Sequence, residues 1–295
     1  MNELSKRVAV AAVAIPIVLG LAYVGGWFVA VPLAVFAGWG AHEVYRLAAE
    51  KEIRPIQWVG VSSAALFVLL GAWRPGFREF APFALTLVMG AGVIAGLEAM
   101  RTRGPQGNPL SVAAVTVFGA IYSGLALAFL PMLLALPETQ AWAVDTADPL
   151  APLFVVVLPL AATWIGDASA YFAGTTWGKG RARLAPSISP NKSWVGFWAN
   201  LVGGAVTAVA WLFLVQERLP ALAEIGVLPF AAIGAILGLL AVTGDLLESV
   251  FKREAGVKDS GTLFPGHGGV LDRIDSLVFT IPASYGLLVL VATFT

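Results

Sequence analysis

The sequence predicts an all-α integral membrane protein with about nine transmembrane helices, a cytoplasmic N-terminus and a C-terminus outside. Three observations support this prediction. Hydrophobic residues make up 58% of the 295 residues and charged residues only 12%, whereas about a quarter of a soluble domain is charged. Long apolar runs recur along the whole chain, each near the roughly 20 residues that a spanning helix needs. Lys and Arg are concentrated on alternate connections between these runs.

The predicted spans follow from the apolar runs. They are residues 8–24, 27–45, 56–73, 80–99, 110–136, 152–173, 194–215, 227–251 and 276–294. Gly25 and Gly26 between the first two spans predict a tight helical hairpin, and the fifth span is long enough to tilt or to kink near Pro131. The basic N-terminus and first apolar run also resemble a signal peptide, but no clear small-residue cleavage site follows them.

The distribution of basic residues predicts the orientation. Fifteen of the 18 Lys and Arg residues lie at the N-terminus or on every second connection after it. By the positive-inside rule these segments are cytoplasmic, including the polar loops 174–193 and 252–275. We therefore expect about five spans in residues 1–150 and about four, with the catalytic loops, in residues 151–295. Together they are expected to form one membrane unit.

Composition excludes several classes of function. The formal net charge is zero, which argues against a nucleic-acid partner. The chain has no Cys, so disulfides, zinc–thiolate sites and thiol nucleophiles are excluded.

Carboxylates in or beside the later spans are the first candidates for chemistry, because ionisable groups inside spans are costly. Helical spacing groups them on shared faces. The groups are Asp167 with Tyr171, Asp245 with Glu248, Ser249 and Lys252, and Asp272 with Asp275. Meeting at one membrane face, these carboxylates would suit Mg²⁺, which prefers oxygen ligands and substrate phosphates. A salt-bridge stripe at a helix end is the alternative interpretation of the Asp245 group.

Basic residues and glycines are interleaved with these acids. The bases are Lys252, Arg253, Lys258 and Arg273, and they surround Gly261 and the run of residues 265–269, Pro-Gly-His-Gly-Gly. Glycines let backbone N–H groups approach an anion closely, and Lys and Arg bind phosphate. The pattern indicates a diphosphate or triphosphate substrate, although the positive-inside rule alone would explain the sign of the charges. His267 is a candidate base or phosphate donor, or equally a turn residue.

The second polar loop runs from Gly174 to Trp194. Three residues separate Gly174 from Gly178, not the four of a Walker A motif, and the segment follows a membrane span. We therefore reject a P-loop. Residues 187–194 are predicted to form a Ser/Pro/Lys turn, with Ser193 as N-cap of the next helix.

At these residues the sequence resembles the phosphatidate cytidylyltransferases, or CDP-diacylglycerol synthases. The family signature, S-x-x-K-R-x₄-K-D-x-[small]-x₂-[apolar]-[PG]-x-H-G-G-x₂-D-R-x-D, is met at all its fixed positions. These are Ser249, Lys252, Arg253, Lys258, Asp259, Gly261, Phe264, Pro265, His267, Gly268, Gly269, Asp272, Arg273 and Asp275. Gly244-Asp245 and the run Ile188-Ser189-Pro190-x-Lys192-Ser193-Trp194 also look like family elements. One departure is Val195, where the family usually has Glu.

The resemblance implies a reaction in which CTP and phosphatidate give CDP-diacylglycerol and pyrophosphate with Mg²⁺. It also implies a metal centre built from Asp245 and Asp272, and a homodimer. Second choices as metal ligands are Asp167, Glu248 and Asp275, and a second cation such as K⁺ is a further candidate.

The remaining expectations are the roles of the other residues and the location of the enzyme. The catalytic candidates are Asp245, Lys252, Arg253, Lys258, Asp272, Arg273 and Asp275. The substrate-binding candidates are Ser189, Lys192, Ser249, Asp259, His267, Gly268 and Gly269. The expected location is a bacterial-type inner (plasma) membrane, with membrane lipids as partners and the active site on the cytoplasmic side.

Two other functions remain open at this point. A secondary transporter or channel for an anionic solute would place substrate groups near the midplane on broken helices in an inverted repeat. A membrane kinase acting on a polyprenol or lipid alcohol would share the acids, bases and metal but release a nucleoside diphosphate.

Overall fold

A computed structural model describes residues 16–142, 148, 150–264 and 268–293. The described chain is mainly helical, and nine helical segments are labelled here in chain order. They are α1 (residues 16–24), α2 (Gly26–Ala49), α3 (Gln57–Trp73), α4 (Phe77–Arg103), α5 (Pro109–Leu134), α6 (Ala151–Trp177), α7 (Trp194–Val215), α8 (Val227–Glu254) and α9 (Leu271–Ala292). Short helical turns occur at Pro105–Gly107, Leu136–Thr139 and Pro220–Ala223.

Seven of these helices are long and apolar enough to cross a membrane, namely α2 and α4 to α9. The apolar α3 is shorter, with 17 residues, and the predicted first span begins at residue 8, outside the described part of the chain. The prediction of a multi-pass helical membrane protein is confirmed. The count of nine spans and the orientation stay predictions.

Helix ends differ from the predicted spans mainly where a helix continues into a loop that is rich in Lys and Arg. α7 has the predicted bounds, whereas α6 continues to Trp177 and α8 to Glu254. The last turn of α8 contains Lys252 and Arg253, and cations at a helix C-terminus interact favourably with the helix dipole. A span predicted from hydropathy ends at the first charged residues. The predicted span is therefore shorter than the helix that the backbone forms.

A small β-hairpin corrects the prediction of a turn before α7. Strand β1 (Arg183–Ala185) pairs antiparallel with β2 (Ser189–Ser193), and the register shifts between its ends. Pro190 fits because a two-stranded ribbon has only edge strands, where a missing N–H is tolerated. The predicted N-cap is confirmed, since Ser193 Oγ accepts a hydrogen bond from Gly196 N at 3.1 Å.

The irregularity in α5 lies upstream of Pro131. Residues Ala120–Leu125 form a π-helical turn, and α-helix resumes at Ala126 and continues through Pro131. The N–H of Ala126 bonds to the carbonyl of Ile121, five residues back. The wider turn is therefore set by the backbone around Tyr122 to Gly124, and not by the proline near which we predicted the kink.

The chain forms two compact units. Unit 1 comprises Met1–Met132 and Phe251–Ile274, and unit 2 comprises Leu133–Val250 and Asp275–Thr295.

The core of unit 1 is organised around a buried tyrosine. Tyr45 of α2 is fully buried and its hydroxyl donates to the Thr116 carbonyl at 2.6 Å. A Cβ at Gly60 would lie 1.8 Å from the Tyr45 hydroxyl, and one at Gly119 2.3 Å from its ring. These glycines let α3 and α5 close on the aromatic side chain.

Unit 2 contains a close helix crossing at Gly234 and Gly238 of α8. A Cβ at Gly234 would lie 2.1 Å from the Gly204 carbonyl oxygen, and one at Gly238 2.8 Å from Asn200 Oδ1. Small residues let helix backbones approach closely in membrane proteins. This crossing fixes α7 against α8, which carry Asn200 and Asp245 to the same cavity.

Candidate active site

In unit 2, a polar cavity of about 640 Å³ gathers residues from α6, the hairpin, α7 and α8. Its charged lining residues are Asp167, Lys179, Arg183, Lys192 and Asp245. The two carboxylates come from spans and the three bases from the polar loop between α6 and α7. A cavity with three cations and two anions suits an anionic substrate together with a metal ion.

The first ion pair of this cavity joins residues far apart in sequence. Lys192 Nζ lies 2.6 Å from Asp245 Oδ2, and the side chains of Lys192 and Asp245 are 22% and 40% exposed to solvent. Ser249 Oγ, one turn further along α8, lies 3.4 Å from Asp245 Oδ1. Strand β2 thus brings Lys192 to the carboxylate that helical spacing had grouped with Glu248 and Lys252.

Asp167 lies on the same cavity with Tyr171, one turn later on α6. Its Oδ1 accepts a hydrogen bond from Asn200 Nδ2 at 3.0 Å. Asn200 is fully buried, so it holds the Asp167 side chain from inside the helix packing. Asn200 was not predicted as a site residue, because a single Asn within an apolar run carries no spacing signal.

Unit 1 contains a second, more buried pair. Lys252 Nζ lies 2.6 Å from Asp272 Oδ1, and their side chains are only 11% and 7% exposed. The other carboxylate oxygen of Asp272 accepts from Ser260 N at 2.9 Å, from Ser260 Oγ at 2.8 Å and from Gly269 N at 2.8 Å. Asp272 therefore holds the end of α8 and the glycine-rich loop together.

A buried glutamate of α2 holds the same loop and was not among the residues predicted from the sequence. Glu43 is 1% exposed. Its carboxylate accepts from Val270 N at 3.0 Å, Leu271 N at 2.8 Å and Ser260 Oγ at 3.0 Å. The available signal was its position inside an apolar run, which marks an ionisable residue as a functional candidate.

The glycines of the loop make room for these carboxylates. A Cβ at Gly261 or Gly269 would lie 2.3 Å from Glu43 Oε1, and one at Gly268 would lie 2.3 Å from Asp272 Oδ2. Gly268 also has φ +77°, a conformation that other residues rarely adopt. Close approach of an anion to the backbone was predicted for these positions, and here the anions are the chain's own side chains.

The other predicted residues occupy varied positions. Ser189 begins β2, Glu248 is fully buried in α8, and Asp275 Oδ1 accepts from Ser276 N at 2.6 Å. Four charged residues of the signature are exposed: Arg253, Lys258, Asp259 and Arg273. His267 lies outside the described residues.

The carboxylates of the two units fit a magnesium ion to different degrees. Within the described residues, no group of three or more His, Asp or Glu side chains converges as a metal-binding set. Proteins usually supply one or two carboxylate ligands to Mg²⁺, and substrate phosphates and water complete its coordination. Asp167 and Asp245, which line the same cavity, could supply these two carboxylates. Asp272 has both oxygens engaged and Asp245 Oδ2 is paired with Lys192, so a cation that takes either oxygen facing a lysine would have to displace that ammonium group.

The fold and these two clusters together define a class: a multi-pass membrane protein whose lysine–carboxylate pairs are suited to phosphate groups. The profile of the cytidylyltransferase family matches residues 5–291. The chain belongs to this family and is accordingly a nucleotidyltransferase.

Relatives show how far the similarity extends. The chain is 31% identical over 300 residues to a phosphatidate cytidylyltransferase of Synechocystis, covering 97% of both chains. It is 34% identical over 284 residues to one of Brucella abortus, covering 94% of this chain and 90% of that one. A Haemophilus influenzae protein of the same name is 42% identical over 139 residues, 46% of each chain.

Proposed function

We propose that this protein is a phosphatidate cytidylyltransferase, which converts CTP and phosphatidate to CDP-diacylglycerol and pyrophosphate. The observation that carries the proposal is the similarity to relatives of that name over nearly the whole chain. The lysine–carboxylate pairs support it, because each holds an ammonium group that a phosphate can use.

In the proposed reaction, an oxygen of the lipid phosphate forms a bond to the α-phosphorus of CTP. The bond from that phosphorus to the oxygen bridging to the β-phosphate breaks, and pyrophosphate leaves with the electron pair. The lipid phosphate is already an anion at neutral pH, so the reaction needs no Ser or Cys nucleophile. Catalysis then consists of positioning and charge stabilisation, as in other phosphoryl transfers.

The chain's own residues supply both effects. Asp245 and Asp272 place the ammonium groups of Lys192 and Lys252 at the site, where they are proposed to stabilise the negative charge that develops on the phosphates. Lys179 and Arg183 add positive charge to the unit 2 cavity. The exposed bases proposed to attract and bind phosphate are Arg253, Lys258 and Arg273.

Magnesium is the proposed cofactor. When bound, Mg²⁺ would offset the charge of the phosphates and of the departing pyrophosphate. Asp245 and Asp272 are the proposed ligands, with Asp167, Glu248 and Asp275 as second choices and K⁺ as a candidate second cation. Ser189, Ser249, Asp259, His267, Gly268 and Gly269 are the proposed substrate-binding residues, together with Lys192.

The proposal extends to topology and assembly. Nine spans, a cytoplasmic N-terminus and an external C-terminus account for the distribution of Lys and Arg. The active site would then face the cytoplasm from a bacterial-type inner membrane, where CTP reaches a phosphate whose acyl chains stay in the bilayer. A homodimer is expected from the resemblance, and crosslinking in native membranes tests it.

The test of the function uses purified protein in detergent with phosphatidate, Mg²⁺ and CTP labelled in the base. Label in the lipid fraction with stoichiometric pyrophosphate supports the proposal. Release of a nucleoside diphosphate with no label in lipid would instead indicate a lipid kinase. If neither product forms, transport assays in liposomes test the transporter alternative.

A further inference from the structure

Glu43 is the buried acid that the proposed mechanism does not use. It lies on α2, more than 200 residues before the loop it contacts, and is 1% exposed. Burying a carboxylate is costly unless hydrogen bonds compensate. Here two backbone N–H groups and one hydroxyl group do so, at 2.8 to 3.0 Å.

These hydrogen bonds fix the segment that carries Asp272. The N–H groups of Val270 and Leu271 belong to the two residues directly before it. Fixing the backbone at residues 270 and 271 sets the direction from which the Asp272 side chain leaves α9. The Asp272 carboxylate must point correctly to reach Lys252 Nζ at 2.6 Å.

Ser260 provides a second connection between the two carboxylates. Its hydroxyl lies 3.0 Å from Glu43 Oε2 and 2.8 Å from Asp272 Oδ2, while its backbone N–H also donates to Asp272 Oδ2 at 2.9 Å. A hydroxyl has one proton to donate, so the two carboxylates share it. A change at Glu43 therefore reaches Asp272 through this side chain as well as through the backbone at residues 270 and 271.

We propose that Glu43 is a positioning residue for the cytidylyl transfer, which sets the Asp272–Lys252 pair through Ser260 and the backbone of Val270 and Leu271. The glycines at 261 and 269 belong to the same device, because a Cβ at either would lie 2.3 Å from the Glu43 carboxylate. This inference rests on the proposed function for its kinetic readout.

The test compares Glu43→Gln with wild type. In either orientation of the Gln amide, its NH₂ group faces the backbone N–H of Val270 or of Leu271. Two donors then face each other, and one hydrogen bond of the carboxylate is lost. Loss of a supporting hydrogen bond of this kind typically costs 10- to 100-fold, so kcat per folded protein should fall by about that factor. The Mg²⁺ concentration for half-maximal rate should rise several-fold, whereas a smaller folded fraction alone would leave it unchanged.

Ser260→Ala is the milder variant, because it removes only the bridging hydroxyl. It should lower kcat in the same direction by roughly tenfold or less. If Glu43 acts through Ser260, the double variant should resemble Glu43→Gln rather than multiply the two losses. The control is Glu98→Gln on α4, whose carboxylate bonds to Arg101. That variant should keep the wild-type kcat and Mg²⁺ dependence.

An independent readout is amide hydrogen exchange over residues 268–274. Glu43→Gln should accelerate exchange at Val270 and Leu271, and Glu98→Gln should not. Wild-type kinetics in folded Glu43→Gln, a multiplicative double variant, or unchanged exchange would each overturn the inference. If wild type itself makes no lipid product, the proposed function fails, and the exchange experiment still decides whether Glu43 holds the loop.

Discussion

Lys252 Nζ lies 2.6 Å from Asp272 Oδ1, and this pair is more buried than the Lys192–Asp245 pair at the same separation. The side chains of the first pair are 11% and 7% exposed, and those of the second are 22% and 40% exposed. Because water screens exposed charges, the two pairs should differ in their effect on stability. We expect the buried pair to contribute to folding and the open pair chiefly to substrate binding.

Replacing Lys252 by Met should destabilise the protein, because the buried Asp272 carboxylate loses its cation. Breaking a buried pair from one side costs about 3 kcal/mol. Unfolding by denaturant in detergent measures the change, and activity should be lost in the fraction that remains folded. If the free energy of unfolding is the same in Lys252→Met and wild type, the pair does not stabilise the fold as predicted.

Lys192→Met should behave differently. Its partner Asp245 is 40% exposed, so the loss of stability should stay below about 1 kcal/mol. The apparent affinity for the anionic substrate should instead fall by about tenfold or more, measured as KM for CTP and for phosphatidate. If the KM for CTP and the KM for phosphatidate both keep their wild-type values in the variant, Lys192 does not take part in substrate binding.

Asp167 tests the metal assignment. Asp167→Asn keeps the side-chain shape but removes one of the two carboxylates of the unit 2 cavity. We expect the Mg²⁺ concentration for half-maximal rate to rise by about tenfold or more, within the range seen for groups that support metal ligands. A Mg²⁺ titration at saturating CTP measures it, and an unchanged titration would remove Asp167 from the metal site.

The close crossing of α7 and α8 makes a stability prediction. At Gly234 a Cβ would lie 2.1 Å from the Gly204 carbonyl oxygen, so Gly234→Ala forces two backbones apart and should cost about 2 kcal/mol. Gly286→Ala is the matched control on α9, because its Cβ would meet none of the described atoms within 4 Å.

The control should be neutral or stabilise by roughly 0.5 to 1 kcal/mol through lower backbone entropy in the unfolded chain. Thermal unfolding in detergent compares the two variants. Equal midpoints for both would contradict the close approach of the two helices.

The sequence was sufficient to predict the helices, because a spanning helix is defined by a local property, the length of its apolar run. Bounds were missed where charged residues extend a helix, as at Lys252 and Arg253 on α8. The β-hairpin was missed because Ser189 to Ser193 contains Pro, Asn and Lys, which are poor strand formers. Its pairing depends on the preceding segment and not on strand propensity.

Partners within the clusters could not be predicted from spacing. Helical periodicity groups Asp245 with Lys252, whereas Asp245 pairs with Lys192 and Lys252 with Asp272. These pairs join residues 53 and 20 positions apart, so they depend on how helices and loops pack. Glu43 is the extreme case, since its partners lie at the other end of the chain.

The role of the Asp272–Lys252 pair is decided by comparing wild type with Asp272→Ala for the transfer of base label from CTP into lipid. Wild type should give Mg²⁺-dependent label in CDP-diacylglycerol with equimolar pyrophosphate. Asp272→Ala that remains folded by size-exclusion chromatography in detergent should lose at least about 10²-fold of this activity. Wild-type turnover in the folded variant would contradict the role assigned to the Asp272–Lys252 pair. A labelled nucleoside diphosphate in place of labelled lipid would contradict the proposed reaction.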